Sequence, residues 1–511
     1  MEINMPQFPE PYWRADSQNS EFPSLSEDTK CDVAIVGGGI AGITTAYLLQ
    51  KEGKDVVLID ATTLMNGTTG HTTAKITSQH GLIYDEFIQH FGKEKARHYY
   101  DANEEGLAFI RDLVSKNQID CDFSQQDAYV YTNDDTYIEK LKKEDQAYEQ
   151  LGIEGGLVDE TSLPFSVKRA ITIRNQAQFH PVKYLRFLID EFIKQGGKIH
   201  ENTTASDVAT GDNPKVITRE GHKITCSYLV CATHFPFYDK RGFYFARMYG
   251  ERSYALGVKT KKPITDGMYI SAEDPKRSIR FTPLGNENLM IIGGEKHKTG
   301  QGINTSKHYE ALAKFSHELF PDAEIAYRWA THDLITLDKL PYVGHLTENQ
   351  ENIFIATGFR KWGMTNSTNA AKMIRDAILE KENPYRELFT PHRFYADPSL
   401  KKLVQENADV AKHLIKGKIE LVRRKPEDLK VDEGSVVTVN GKRAGGYRDQ
   451  DGQLHLVDTT CRHMGCEVEW NDGERTWDCP CHASRYDIDG NVIEGPTTKP
   501  LKKVEGDNNA K

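Results

Sequence analysis

The stretch CDVAIVGGGIAGITTAYLLQKEGKDVVLID, beginning at Cys31, does more than any other to narrow what this 511-residue chain can fold into. Val33-Ala34-Ile35-Val36 is a short apolar run stopped by glycine and reads as a buried parallel strand. Gly37-Gly38-Gly39-Ile40-Ala41-Gly42 then supplies G-x-G-x-x-G, a helical stretch runs from Ile43 to Lys51, and a second apolar run, Val56 to Ile59, ends in Asp60. Each part has a task in holding a dinucleotide. Gly37 permits the tight turn, Gly39 lets a pyrophosphate approach the backbone, and Gly42 lets helix and strand pack closely. The helix start at Ile40 and Ala41 offers unpaired N–H groups to phosphate, and Asp60 can accept hydrogen bonds from a ribose. In this strand–turn–helix–strand–acid setting a merely structural glycine turn is the weaker reading.

The loop NGTTGHTTAKIT, with His71 and Thr72, follows this unit, and here the chain resembles the D-amino-acid oxidase and glycine oxidase family of flavoproteins. Phe179-His180-Pro181 opens a helix leading to GGKIHENTTASDV, which ends in Val208 and resembles the family's adenine-side strand. Tyr228 to Ala232 resembles the strand beneath the flavin, and Ile353 to Gly358 with Gly363-Met364-Thr365 resembles the closing flavin motif. The resemblance implies FAD. It also implies an α/β FAD-binding Rossmann-like domain with an antiparallel-sheet substrate domain, the sheet lying mainly in 250–325. His71 sits where the similar dimethylglycine dehydrogenases carry a histidine joined covalently to FAD; the alternative is a histidine hydrogen-bonded near the flavin ring.

WATHDLITLDKLPYVG, Trp329 to Gly344, matches the family's segment W-A-G-L-R-P-x-T-x-D-x-x-P-x-I-G, whose arginine grips the substrate carboxylate. Asp333 stands in the arginine's place. The reversed charge favours a cationic amine substrate over a simple α-amino acid, unless Asp333 turns away to cap a helix or pair with His332. Arg280 or Arg252 remains available as a carboxylate clamp, and Tyr254, Tyr327 and Trp329 are aromatic candidates for the pocket.

The tail CRHMGCEVEWNDGERTWDCPCHAS supplies Cys461-x-His463 and Cys479-x-x-His482. Two thiolates and two imidazoles are the ligand set of a Rieske [2Fe–2S] centre. CRHMGC and CPCHAS resemble the boxes of respiratory and photosynthetic Rieske proteins, and Gly495-Pro496 with Lys499-Pro500-Leu501 resembles their proline loop. By that resemblance Cys466 and Cys481 form a disulfide clamping the ligand loops, Ser484 and Tyr486 place hydroxyls near the cluster sulfurs, and Ala483 replaces the usual glycine. Zinc is the alternative, since Cys2His2 can hold it tetrahedrally, but C-x-H with C-x-x-H is unusual zinc spacing. A Rieske oxygenase would need a further two-histidine, one-carboxylate iron site, for which no convincing string is found.

These motifs divide the chain into an N-terminal extension (1–30), a flavin-dependent oxidoreductase (31–393), a helical linker (394–423) and an all-β Rieske domain (424–511). In the linker, Leu400, Leu403, Val404, Val410, Ala411, Leu414 and Ile415 recur at helical spacing, which predicts an amphipathic helix docked on the flavin body. A net charge of −10 argues against nucleic acid as a main partner. No run reaches a membrane span and the start does not read as a signal peptide, so the expected compartment is the cytoplasm. The expected activity is oxidation of an amine-type small molecule at FAD, with electrons passed singly to the cluster and on to an external acceptor. The alternatives are a reductase running from cluster to flavin, and an electron-transfer or redox-sensing protein without small-molecule turnover.

Overall fold

A computed structural model describes residues 4–17, 21–239, 242–260, 266–302, 304–419 and 422–505. The ends of the predicted extension, linker and tail at 1–3, 420–421 and 506–511 lie outside the described residues. Among the described residues the strands form sheets of eight, nine, three and four strands.

The eight-stranded sheet grows from the glycine-rich unit. Thr29–Val36 pairs in parallel with Val56–Ile59 on one side and with Lys223–Cys231 on the other. Lys198–His200 and Ile353–Thr357 extend it, also in parallel. Helix Ile40–Lys51 is buried over its first ten residues, Ile40 to Leu49, as expected of a crossover helix sandwiched against a sheet. Helix Pro181–Lys194 begins where the sequence places it, with Pro181 in its first turn and His180 Nδ1 accepting from Lys183 N at 3.3 Å.

The nine-stranded sheet is largely antiparallel. Its long strands are Met248–Thr260, Arg277–Leu284, Glu287–Lys298 and Glu324–Thr336. It also recruits Ser124–Thr132 and Arg169–Gln178, the former pairing in parallel with Met268–Ser271. The sheet therefore begins well ahead of residue 250, because the segments after the dinucleotide unit return to lengthen it.

Helix Ala396–Ile419 spans the predicted linker and docks on the flavin body at Tyr244–Arg247, but its apolar stripe is divided between the two lobes. Val410 and Leu414 pack against the core of the C-terminal domain, while Leu400, Val404 and Ile415 stay exposed. Polar contacts tie the helix to the flavin body: Lys298 pairs with Glu406 at 2.6 Å and Asp409 at 2.8 Å, and Asn407 Nδ2 donates to Ala246 O at 3.2 Å. The rest of the C-terminal domain consists of two small antiparallel sheets, Glu433–Val457 and Glu469–Glu494.

Candidate functional site

The cradle is built by close approaches that only glycine permits. Gly37 has φ +111°, and a Cβ there would lie 2.4 Å from Ala232 O. A Cβ on Gly42 would lie 1.9 Å from Gly37 O, so helix and turn touch backbone to backbone. Gly39 precedes the helix in extended conformation without a side-chain cap. Asp60 accepts from Gly38 N at 2.7 Å and Thr62 N at 2.8 Å, and burial raises its pKa despite these bonds.

From this cradle a cavity of about 750 Å³ runs past His71, Thr72 and Ala232 to Gly363 and Met364, and up to the large sheet at Tyr254, His332 and Asp333. Such a space suits a dinucleotide with a substrate over it. Two helix starts, at Gly39 and Trp362, open onto it, the first with Ile40 N donating to Thr69 Oγ1 at 3.0 Å. His71 Nδ1 lies 2.9 Å from Gly67 O, and burial lowers its pKa.

Several predicted site residues lie elsewhere. Val208 is buried in the sheet core, and the cavity instead reaches this segment at Thr204 and Ala205. Gly358 makes a turn with φ +73°, its Cα facing Thr336. Thr365 Oγ1 donates to Thr77 O at 3.2 Å on the far side of its helix. Arg280 is no substrate clamp: it is fully buried and donates to Thr73 O and Ala74 O at 3.0 and 2.8 Å, with its guanidinium 5.2 Å from the Trp13 ring. Trp329 is also core, donating to His71 O at 2.9 Å, and Tyr327 packs on Tyr12.

Asp333 lines the cavity but is not a free anion. Lys361 Nζ pairs with its Oδ2 at 2.8 Å, also donates to Ser253 Oγ, and lies 3.7 Å from Glu251. The expected preference for a cationic headgroup therefore loses its basis, since Lys361 already neutralises this carboxylate. Asp333 does not pair with His332 or cap a helix either. Arg252 is engaged too, 3.1 Å from Glu474. Tyr254 touches the cavity only along its strand: its ring is buried against His297, His308 and Tyr309, and its hydroxyl lies 2.9 Å from His297 Nε2.

In the C-terminal domain Cys461, His463, Cys479 and His482 converge. The imidazole centroids of His463 and His482 are 5.0 Å apart, and both Nδ1 atoms are buried without a hydrogen-bond partner. Burial lowers the pKa of both, His482 to about 4 with His463 adding to the effect, so both are neutral at pH 7 and able to ligate. Cys461 and Cys479 are buried free thiols. Two orphaned imidazole nitrogens beside two thiols fit a [2Fe–2S] cluster ligated by two cysteines and two histidines. Cys466 and Cys481 form the disulfide implied by the resemblance. Tyr486 Oη is 3.2 Å from Cys461 Sγ, and the Ser484 hydroxyl also bonds Cys461 while its oxygen accepts from Thr497 N at 3.2 Å. Ala483 has φ +65°, which explains why glycine is the usual residue at its place.

The two sites share a wall. Glu494, Gly495, Pro496 and Thr497, part of the predicted proline loop, line the flavin cavity. His332 Nδ1 lies 2.9 Å from Glu494 Oε2, and Arg485 Nη1 approaches the same oxygen at 3.1 Å. Burial alone would raise the Glu494 pKa, but His332 and Arg485 outweigh it and hold it well below the usual carboxylate range. Phe245 of the flavin body sets its ring 5.5 Å from His463 and 5.4 Å from His482. A Cβ on Gly250 would lie 2.4 Å from Ala483 Cβ and 2.5 Å from His332 Nε2, and one on Gly300 would lie 2.5 Å from Cys479 C. Lys361 was legible as a cation in GFRKWGMT just ahead of the flavin motif. Glu474, Glu494 and Phe245 carry no sequence signal, because only domain docking brings them to the site.

Residues 32–377 match the family model described as FAD dependent oxidoreductase, and residues 420–505 match the Rieske [2Fe-2S] domain. YhfW of Bacillus subtilis (strain 168), named as a Rieske 2Fe-2S iron-sulfur protein, is 50% identical over 499 residues, 98% of each chain. The gamma-glutamylputrescine oxidoreductase of Escherichia coli (strain K12) is 24% identical over 72% of this chain and 88% of its own. Among solved structures, glycine oxidase from Geobacillus kaustophilus superimposes with a TM-score of 0.61 at 17% identity, over 72% of this chain and 99% of its own. The chain belongs to the FAD-dependent oxidoreductase family, with FAD and a [2Fe–2S] cluster as its cofactors and a Rieske domain at its C-terminal end.

Proposed function

We propose that the protein is a cytoplasmic dehydrogenase that oxidises a C–N bond of an amine or amino-acid-like compound and delivers the electrons through its Rieske domain to an external acceptor. The observation that carries this reading is the shared wall, in which residues 494–497 line the flavin cavity while Ala483, next to His482, abuts Gly250 beside His332. The E. coli relative is named for γ-glutamylputrescine and the Geobacillus structure for glycine, both compounds with an oxidisable C–N bond.

When bound, FAD supplies two-electron oxidation at a carbon next to nitrogen, and a Rieske cluster supplies one-electron transfer. The substrate loses two electrons and two protons to become an imine, which water hydrolyses to a carbonyl compound and an amine. Gly37, Gly39 and the N–H group of Ala41 would hold the pyrophosphate, with Asp60 at the ribose end. His71 and the Asp333–Lys361 pair stand at the reacting end of the cavity. Phe245 packs its ring against the two cluster imidazoles. Arg252–Glu474 and His332–Glu494 keep the two lobes in register.

Stopped-flow mixing of the oxidised holoprotein with a panel of amines and amino acids tests the reading. Flavin bleaching followed by cluster reduction is the expected order. An unbleached flavin across the panel would refute it, and a flavin reduced only after a chemically reduced cluster would indicate the reverse direction.

A further inference from the structure

One wall of the cavity carries cations that the described residues leave unmatched. Lys276, Lys296 and Arg360 line it together, where the strands Arg277–Leu284 and Glu287–Lys298 meet the loop after Ile353–Thr357. Lys296 has Asp274 at 3.7 Å. Arg360 spends one donor on a neutral acceptor, Nη2 reaching His80 O at 3.2 Å. Lys276 has no hydrogen-bond acceptor and no carboxylate within 4.0 Å among the described residues. Its Nζ points to the same peptide as Arg360 does, lying 3.9 Å from where a Cβ on Gly81 would stand. Two cations thus converge on His80–Gly81.

The charges facing this pair do not neutralise it. Lys339 adds a further cation, but Glu86 is bound to it at 2.5 Å. His80 stays neutral, its pKa pushed well below the ordinary value by burial and by Arg360. Burial, then repulsion from Lys296 and Arg360, lowers Lys276 to about 8, with Asp274 opposing the shift. The anions that line the cavity are committed elsewhere: Asp333 to Lys361, Glu474 to Arg252, Glu494 to Arg485 and His332, Asp60 to the N–H groups of Gly38 and Thr62, and Asp487 to those of Asp489 and Asn491. Crowded cations in a partly desolvated wall are disfavoured unless an anion joins them.

We infer that Lys276 and Arg360 form a carboxylate receptor, so that the substrate is an amine carrying a carboxylate whose acid end is bound on this wall and not at the Asp333 position. Lys296, on the exposed side, adds to a positive field at the wall that attracts such a substrate. A carboxylate accepting from both cations would make charge-assisted bonds stronger than those of a neutral amide of the same shape. This inference rests on the flavin-site reading above and names its substrate class.

The test uses the FAD-loaded full-length protein and three unreactive probes of similar size: butyrate, butyramide and tert-butylamine, whose carbon next to nitrogen bears no hydrogen. Binding is read as a saturable perturbation of the flavin visible spectrum. Butyrate is expected to bind and the other two to fail to compete with it. Lys276→Gln and Arg360→Gln should each weaken butyrate about tenfold, the loss of one charge-assisted bond. Lys276→Arg keeps the charge and should retain binding, which separates recognition from misfolding. A preference for tert-butylamine over butyrate, or equal butyrate affinity in Lys276→Gln and the parent, would overturn the inference. The two readings fail separately. Butyrate binding without turnover of any amine removes the dehydrogenase but leaves the receptor, whereas amine turnover without carboxylate binding does the opposite.

Discussion

Asp338 and Arg393 form a buried bidentate pair, Nε to Oδ2 at 2.8 Å and Nη2 to Oδ1 at 2.9 Å. Arg393 also donates to the carbonyls of Leu340, Pro341 and Phe389, fastening the segment after Asp333 to the end of the flavin body. Burial alone would raise the Asp338 pKa; Arg393 outweighs it and leaves it lowered. A depressed folded-state pKa contributes stability that is complete above the unfolded value of about 3.9 and is lost as pH falls through the folded value. Asp338→Asn should therefore cost roughly 3–5 kcal/mol at neutral pH, because it strands a buried guanidinium. That deficit should shrink below about pH 4, as measured by urea unfolding across pH. At this scale sequence reading reaches residues whose role is local. Cys461, His463, Cys479 and His482 announce themselves by spacing, and Gly37 and Gly42 by position. It failed at Asp333, where the charge was read correctly but its partner, Lys361, lies 28 residues away.

The crossover helix Ile40–Lys51 is held against its turn by a contact with no room for a methyl group. Gly42→Ala would drive a Cβ to 1.9 Å from Gly37 O, and backbone on backbone cannot yield as a side-chain tip does. Overpacking of this kind costs about 1–3 kcal/mol, and here it displaces the phosphate-binding turn. The expected outcome is protein purified with little FAD and a lower melting temperature, checked by the flavin-to-protein absorbance ratio and calorimetry. The parallel strands and this helix were legible because apolar runs and glycines set local geometry. Helix Ala396–Ile419 was legible as a helix resting on the flavin body, but not in its second contact with the C-terminal domain. Periodicity says that an apolar face exists, not which surface covers it, and here Val410 and Leu414 chose the C-terminal domain.

Across the whole molecule the lobes meet through buried charge and tight backbone contact. Arg252–Glu474 and His332–Glu494 span the interface, Arg328 Nη1 donates to Gly473 O at 2.9 Å, and Thr305 N donates to Asp472 Oδ1 at 2.6 Å. Gly250→Ala would place a Cβ within 2.4–2.5 Å of Ala483 Cβ and His332 Nε2, prying the cluster loop from the flavin cavity. The expected result is near-normal substrate bleaching of the flavin but slower cluster reduction, resolved by following both chromophores in one stopped-flow experiment. Equal cluster-reduction rates in Gly250→Ala and the parent would show that this contact does not serve electron transfer. The sequence by itself determined the two cofactors and the two folds that hold them, because strand–turn–helix units and metal-ligand pairs are written in residues close together in the chain. Only the tertiary structure decided that the Rieske domain walls the flavin cavity, that Asp333 is neutralised and that Lys276 and Arg360 are not. Those outcomes depend on which charges meet across hundreds of residues, and packing, not spacing, chooses the partners.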